Sequence, residues 1–260
     1  MPRRLSDKSE IRRWLNQDRV WSLYALADLD DDLFEHCDWW GEGESLALVF
    51  HKLEIRPIFV VGDAASTRKL LTALPDESGY LNLKPAQMEA MEGIYRFIER
   101  HEMRRMILEN ESLRAGQTEP LSSIHSAEVE RLYASGDGAG IAFAPFQLDT
   151  GFFRGIRRSG ELEAVAGVHV MSRAESVAGI GNIFTRPDCR GHGLAQTVVS
   201  AVVAALREAG IRTVGLNVEH TNAPAIRVYE AIGFRTCFHY YEGIAERAGA
   251  FLRHDARPER

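Results

Sequence analysis

Residues 186–206 read RPDCRGHGLAQTVVSAVVAAL. Pro187, Gly191 and Gly193 stand there beside Arg186 and Arg190, and a long apolar run follows. Glycine removes the side chains that would keep a ligand away from the main chain. The N–H groups of a first helical turn lack helical partners and carry about half a positive charge. A glycine loop opening into a helix therefore suits a phosphate or pyrophosphate, with Arg190 and Arg186 as added cations. A tight turn with ordinary N-cap geometry accounts for the same residues without a ligand. Ala195 and Thr197 keep the first turn slim. The helix beyond, expected over 194–209, is apolar almost all round and must pack on a sheet. The Gly-Lys-Ser/Thr ending of a P-loop is missing, and the spacing does not fit the dinucleotide fingerprint.

Outward from this loop, strands and helices alternate. ELEAVAGVHVMS and VAGIGNIFT precede the loop as strands. TVGLNVE follows as a strand, APAIRVYEAI as a short helix closed by Gly233, and FRTCFHYYEGIA as a last strand. SSIHSAEVERLYASG, with a capping serine at Ser123 or Ser126, is a helix ending at Gly136. PFQLDTGFFRGIRRSG reads as a short helix and turns. In the first half, helices are expected around Ile11 to Leu15, from Val20 to Phe34, over AASTRKLLTALP and over KPAQMEAMEGIYRFIER. SLALVFHKL, IRPIFVVG, GYLNL and MRRMILE read as strands. The fold class is α/β, a mixed central sheet flanked by helices. The expected division is a smaller α/β lobe over 1–120, a second domain over 121–255 and a frayed tail over 256–260.

A thin echo joins the halves. VVG, LLTAL, then GYLNLKPAQMEAMEGIYRF parallels FTRP, VVAAL, then VGLNVEHTNAPAIRVYEAI. The first lobe reads either as a degenerate repeat of the second or as a chance likeness between two βαβ pieces. DAAST stands in it where the glycine loop would be. That lobe is expected to have lost any such site and to shape an acceptor pocket, an interface or simple support.

The chain has 260 residues, 45% of them apolar, and a formal charge of −6. That charge gives no basic excess of the kind a nucleic-acid partner calls for. Three widely spaced cysteines, Cys37, Cys189 and Cys237, make neither a disulfide framework nor a zinc site. The N-terminal MPRRLSDKSEIRRWLNQ lacks the apolar core of a signal peptide, and no run is long enough for a membrane span. A cytoplasmic protein is expected. DDDLFEHCDWW offers Asp30, Asp31, Asp32, Glu35 and His36, but consecutive acids on a helix face different ways and no calcium-loop spacing appears. No metal is expected, and Trp39 and Trp40 read as core or lobe-interface anchors.

NIFTRPDCRGHGLAQTVVSAVV resembles the acyl-CoA loop of the Gcn5-related N-acetyltransferase (GNAT) superfamily. That pattern, Arg or Gln, two residues, Gly, one residue, Gly or Ala, falls on Arg190, Gly193 and Ala195. LNVEHTNAPAIRVYEAIGF resembles the second motif, with Asn222, Ala225, Tyr229, Gly233 and Phe234 in order and spacing. The resemblance covers about residues 123–245. GNIFT before the loop resembles the branch holding the C-terminal domains of glycine N-acyltransferases.

The resemblance implies an acyl-CoA-dependent N-acyltransferase, foremost an N-acetyltransferase using acetyl-CoA or another acyl-CoA. The acceptor is expected to be a small-molecule amine or amino-acid-like compound, with a protein acceptor as alternative. Cosubstrate contacts fall to Ile183, Phe184 and Thr185, and to Arg190, Gly191, His192 and Gly193. Leu194, Ala195 and Thr197 continue them, with Asn222, Ala225 and Tyr229 from the second motif. A backbone N–H near Ile183 or Phe184 would polarise the thioester carbonyl. Tyr229 would protonate the departing thiolate, or else be a core tyrosine sealing its helix. Asn222 would also cap the helix that holds Pro224.

Many relatives carry a carboxylate on the strand before the loop, and here Gly181 stands at about that place. Glu219 or His220, past the end of the LNV strand, are the candidate bases. Glu175 and His169 are also available, though they read more readily as solvated loop residues, and a water relay or an acceptor arriving neutral would need none of the four. Two other readings stay open: a non-catalytic acyl-CoA-binding or regulatory protein, and an interaction protein whose loop is only structural.

Overall fold

The computed structural model describes residues 1–75, 78–136 and 143–248. The chain forms two compact units, Met1–Arg104 with Phe238–Arg260, and Arg105–Cys237. The expected tail over 256–260 lies outside the described residues. No helix among the described residues is long and apolar enough to cross a membrane.

The first unit opens with β1 (Arg3–Leu5), α1 (Lys8–Leu15), α2 (Leu23–Ala27) and α3 (Asp31–Phe34). Its sheet continues through β2 (Cys37–Glu42), β3 (Ser45–Phe50) and β4 (Pro57–Val61). Then come α4 (Ala64–Ala73), β5 (Ser78–Leu83), α5 (Met88–Met91) and β6 (Tyr95–Phe97). The helix expected over Val20–Phe34 is two short pieces, and Asp30 in extended conformation divides them. The helix expected over 84–100 stops at Met91, and left-handed Gly93 turns the chain into β6. β2 is a strand the pattern hid, since its two tryptophans are adjacent and flanked by small and acidic residues, which breaks the two-residue alternation. Trp39 in it is 1% exposed and belongs to the core.

The second unit takes the end of β7 (His101–Leu108), then β8 (Glu119–Leu121), α6 (Ser126–Tyr133), β9 (Phe153–Arg158) and β10 (Glu161–Ser172). β11 (Val177–Thr185), α7 (Leu194–Glu208), β12 (Thr213–Glu219) and α8 (Ala223–Ile232) complete it, and β13 (Phe234–Arg247) follows. Strand order here is β7-β12-β11-β10-β9-β8, with β11 and β12 parallel and β8 to β11 antiparallel in turn. This is the expected mixed sheet flanked by helices.

The unit boundaries differ from the expected division at 120 and 255. Arg105–Leu108 lie beside β12 and so join the second unit. The later part of β13 pairs antiparallel with β5, from Tyr241–Leu83 to Glu246–Ser78, and with β6. A sheet edge, not a sequence interval, decides which unit claims a strand.

The α7 face that packs on the sheet brings Val198, Val199, Val202, Val203 and Leu206, all fully buried, against Ile180, Val214 and Leu216. Each such side chain contributes roughly 1.5–3 kcal/mol on burial. The helix is thus held as a rigid rod at the sheet, as its composition demanded. Gly210, left-handed just past the C-cap, ends it. In the first unit, β4, α4 and β5 repeat this parallel strand-helix-strand step, with Ile58 opposite Leu81.

One buried acid in the first unit yields a test. Asp28, at the end of α2, is 8% exposed, and burial, then the nearby Asp30 carboxylate, pushes its pKa up from 3.8 to about 7. Between those values the folded state binds the proton and the unfolded state does not. Stability from this group is therefore present below pH 3.8 and lost as pH rises through about 7. Asp28→Asn is expected to be more resistant to denaturant than wild type at pH 8 and equal to it near pH 3, below the unfolded-state value. Urea midpoints at the two pH values check this. An equal response at both contradicts it.

Candidate functional site

β11 and β12 pair from Val177–Thr213 only as far as Ile180–Leu216. β11 runs on to Thr185 and β12 to Glu219, so the parallel strands part at their C-terminal ends. The cause lies in β11. Its register against β10 jumps between Gly181–Gly167 and Phe184–Val165, which leaves Asn182 and Ile183 without register partners. This is a β-bulge, and bulges re-aim main-chain groups. Asn182 adopts φ 53°, a left-handed conformation. Such a conformation costs on the order of 1–3 kcal/mol outside glycine and persists only where its surroundings hold it.

The surroundings do hold it. The Asn182 N–H donates to His169 Nε2 at 3.2 Å. Its side-chain amide donates to Gln147 Oε1 at 2.9 Å, and its carbonyl accepts from the Tyr133 hydroxyl at 2.9 Å. Gln147, 6% exposed, also accepts from the Ala144 N–H at 2.9 Å. These partners come from β10, from α6 and from the 3-10 turn Pro145–Thr150.

His169 corrects the sequence reading. It lies in β10, half-buried beside the bulge, and is no solvated loop residue. Burial pushes its pKa down from 6.5 to about 4, so the ring is neutral at pH 7. Its Nε2 accepts, which places the ring proton on Nδ1. Gly181 has its reason here. A Cβ on it would overlap the His169 ring. Where many relatives carry a strand carboxylate, this chain has imidazole in the adjoining space. Glu175 is also not solvated. It is 7% exposed in the turn between β10 and β11, away from the C-terminal end of β11, with its N–H on Ser172 Oγ at 3.0 Å.

The glycine loop follows β11. Gly191 and Gly193 are both left-handed, at φ 80° and 75°. Gly193 is the N-cap of α7 and brings no capping side chain. The first capping bond is Thr197 N–H to the Gly193 carbonyl at 3.1 Å. The N–H groups of Leu194, Ala195 and Gln196 thus precede the helical ladder. No atom would meet a Cβ on Gly191 within 4 Å, so the main chain is approachable there. His192 is exposed, and its Nδ1 lies 3.3 Å from the Cys189 carbonyl. Thr197 is 8% exposed and turns its hydroxyl inward to the Gly193 carbonyl at 3.2 Å.

The cations sort themselves differently from expectation. Arg186 is held by Asp188 at 2.8 Å and Glu161 at 3.0 Å, with Glu163 at 3.7 Å. Those carboxylates claim its guanidinium and take it out of the anion-binding set. Arg190 braces the loop, its Nε on the Thr185 carbonyl at 3.2 Å and its guanidinium 5.9 Å from the Phe184 ring. Arg114, unremarked in the sequence, lies against Gly193 from the segment after β7, whose Arg114 N–H donates to Ser200 Oγ at 3.0 Å. Nothing in the local sequence around Arg114 signals this, because the contact spans roughly eighty residues.

The second motif sits where the topology requires. α7 follows β11 and α8 follows β12, so both helix N-termini stand at the edge where the strands part. Asn222 caps α8, accepting from the Ala225 N–H at 3.2 Å, and Pro224 stands in its first turn. Ala225 packs on the core. Tyr229 is 7% exposed within the core, its ring 6.3 Å from Phe234 in edge contact. Glu219 is exposed at the end of β12, and His220 is half-buried in the turn beyond it. Phe184 turns its side chain into a core cluster with Tyr133 and Phe153, leaving only its main chain for a ligand.

Parted parallel strands, a glycine loop without a side-chain cap and two helix N-termini thus stand at one edge of the sheet. Comparisons with known proteins bear on the fold and on the segment that holds this edge. The sequence model of the acetyltransferase (GNAT) family matches residues 119–234. The mycothiol acetyltransferase of Thermobispora bispora is 36% identical over 88 residues, 32% of this chain and 30% of that protein. The chain thus aligns with less than a third of that relative's length. A GNAT-family acetyltransferase structure from Novosphingobium aromaticivorans superposes with TM-score 0.62 at 20% identity, over 88% of this chain and 99% of that one. A tandem GNAT protein from the clavulanic acid biosynthesis pathway does so with TM-score 0.57 at 15% identity, over 96% and 98%. These likenesses are of fold. With the matched segment, they support membership of the GNAT superfamily.

Gly181→Ala tests the packing of His169 over the bulge. The added methyl has to displace the ring and strip the Asn182 N–H of its acceptor. Overpacking of this kind costs about 1–3 kcal/mol. A fall of that size in unfolding free energy is expected by chemical denaturation. A loss under about 0.5 kcal/mol, the range of neutral surface changes, would show that the ring moves freely.

Proposed function

We propose that this protein is an acyl-CoA-dependent N-acyltransferase, foremost an N-acetyltransferase acting on a primary amine. The observation that carries this reading is the parting of β11 and β12 beside a helix start without a side-chain cap. The free N–H groups of the first α7 turn suit a pyrophosphate, and Gly191 and Gly193 let it approach. Arg190 and Arg114 add positive charge. Ile183, unpaired in the sheet, has a main chain suited to the thioester carbonyl. An amine attacking that carbonyl carbon forms the amide bond as the C–S bond breaks, and the thiolate leaves. Tyr229 is the acid for that thiolate, and Glu219 or His220 the base for the amine. GNIFT and the two motifs support the branch that resembles the glycine N-acyltransferase C-terminal domain. A small-molecule amine fits that branch and the name of the mycothiol acetyltransferase relative. Protein N-termini are the alternative acceptors.

One observation favours a second reading. Gly181 and neutral His169 stand where many relatives have a carboxylate, which suits a protein that binds acyl-CoA without turning it over. Incubation with acetyl-CoA and a broad amine panel, with products identified by mass spectrometry, separates the two. An acylated amine is expected. Tight acetyl-CoA binding with no acylated amine would favour the second reading.

Gly193→Val addresses the cosubstrate site directly. A branched side chain at φ 75° strains the loop and covers the helix start. Affinity for acetyl-CoA is expected to fall at least tenfold by calorimetry on folded protein. Unchanged affinity would put the cosubstrate elsewhere.

Tyr229→Phe keeps the ring and removes the hydroxyl. General acid catalysis is typically worth about a hundred- to ten-thousandfold. A thiolate leaves readily, so a loss of turnover near the lower end, about a hundredfold, is expected with acetyl-CoA affinity kept. Near-wild-type turnover at every pH would leave Tyr229 as a packing residue only.

A further inference from the structure

We propose that His169 is a positioning residue, whose imidazole locks Asn182 into the left-handed bulge and so aims the unpaired Ile183 peptide at the thioester. This rests on the reading that acyl-CoA binds in the parted strands. Three polar groups of Asn182 meet three different side chains, His169, Gln147 and Tyr133. A single hydrogen bond would let the bulge relax, but three from separate elements over-determine it. The His169 bond fixes the Gly181–Asn182 peptide through its N–H and the Tyr133 bond fixes the Asn182–Ile183 peptide through its carbonyl, so the two together set the backbone angles of Asn182 and with them the direction of the Ile183 N–H.

The chemistry of the ring suits this duty. Burial keeps imidazole neutral, and its Nε2 lone pair is spent on the Asn182 N–H. A ring held this way is a poor general base for an ammonium acceptor, since it has little affinity for a proton. It is a good acceptor of a fixed hydrogen bond. Gly181 completes the device, because any side chain there would push the ring off Asn182. The space that a side chain at Gly181 would take on β11 is thus filled by the ring that braces Asn182.

Two substitutions separate bracing from mere packing. His169→Gln retains an acceptor oxygen within reach of the Asn182 N–H. His169→Phe retains a flat ring and offers no acceptor. The readout is the infrared carbonyl stretch of acetyl-CoA labelled with carbon-13 at the thioester, bound to each protein. Wild type and His169→Gln are expected to lower the stretch relative to free acetyl-CoA. His169→Phe is expected to bind acetyl-CoA within about threefold of wild type yet leave the stretch near its free value. On an amine found by the panel, its turnover should fall about ten- to a hundredfold, less than the hundred- to thousandfold typical for outright loss of an oxyanion donor.

An equal shift in His169→Phe overturns the proposal. So does wild type that binds acetyl-CoA with an unshifted carbonyl, which leaves the acyl-CoA reading standing. Failure of wild type to bind acetyl-CoA at all removes that reading and the proposal with it. Should His169→Phe not fold, Gly181→Ala takes its place, since its methyl displaces the ring from the Asn182 N–H. It must then show a partial loss of the same shift, and a full wild-type shift overturns the proposal.

Discussion

Everything at the candidate site depends on two parallel strands ceasing to pair. β11 and β12 are joined through Ile180 and Leu216 and no further. Parallel strands side by side satisfy each other's main chain and leave no room for a ligand. Once they part, the freed groups need water, a side chain or a substrate. The bulge at Asn182 makes the parting permanent, and the hydrogen bonds to Asn182 hold the bulge. The fully buried valines of α7 hold the strand itself in place. The cleft is therefore a defect in a sheet, kept open by a strained residue that its neighbours stabilise.

The two units show how a single residue decides whether a helix start is open to an anion. In the second unit, Gly193 caps α7 with no side chain. In the first, the same strand-helix-strand step has Asp63 at the N-cap of α4, its carboxylate accepting from the Ser66 N–H at 2.9 Å. Those Ser66 contacts hold the Asp63 pKa down and keep the carboxylate charged. A built-in anion occupies the place where a phosphate would go. Gly62 before it, at φ 123°, lies so close to Ser45 that a side chain there would collide. The DAAST segment thus has a physical reason for lacking a phosphate site. The first unit keeps the step as architecture, packed on a core of Ile58, Val60, Leu70 and Leu81.

Charge at the site follows partners more than motif position. Arg186 and Arg190 are both in the glycine-loop segment, yet carboxylates take up the first and a carbonyl takes the second by its Nε. Arg114 arrives from outside the motif because its segment runs along α7, tied by Glu111 to Arg207 at 2.6 Å. A guanidinium is worth most to an anion when no carboxylate competes for it. Its place in the chain does not reveal that.

Local rules made the second half of this chain readable from its residues alone. The strands 161–172, 177–185 and 213–219 and both later helices stand close to where period and punctuation put them. Glycine at 193, 210 and 233 marked helix ends, since each needs a left-handed backbone. Asn222 as a cap was likewise legible, because capping acts over three residues. The long helix expected over 84–100 and the missed strands β2 and β9 failed where short segments carry weak periodicity. Tertiary structure alone decided that His169 faces Gly181, that Gln147 and Tyr133 converge on Asn182, and that Arg114 meets Gly193. These contacts join residues far apart in the chain, and no pattern within a window records them. Periodicity and caps are properties of a segment, whereas a hydrogen bond between strands depends on register, and register exists only once the sheet has formed.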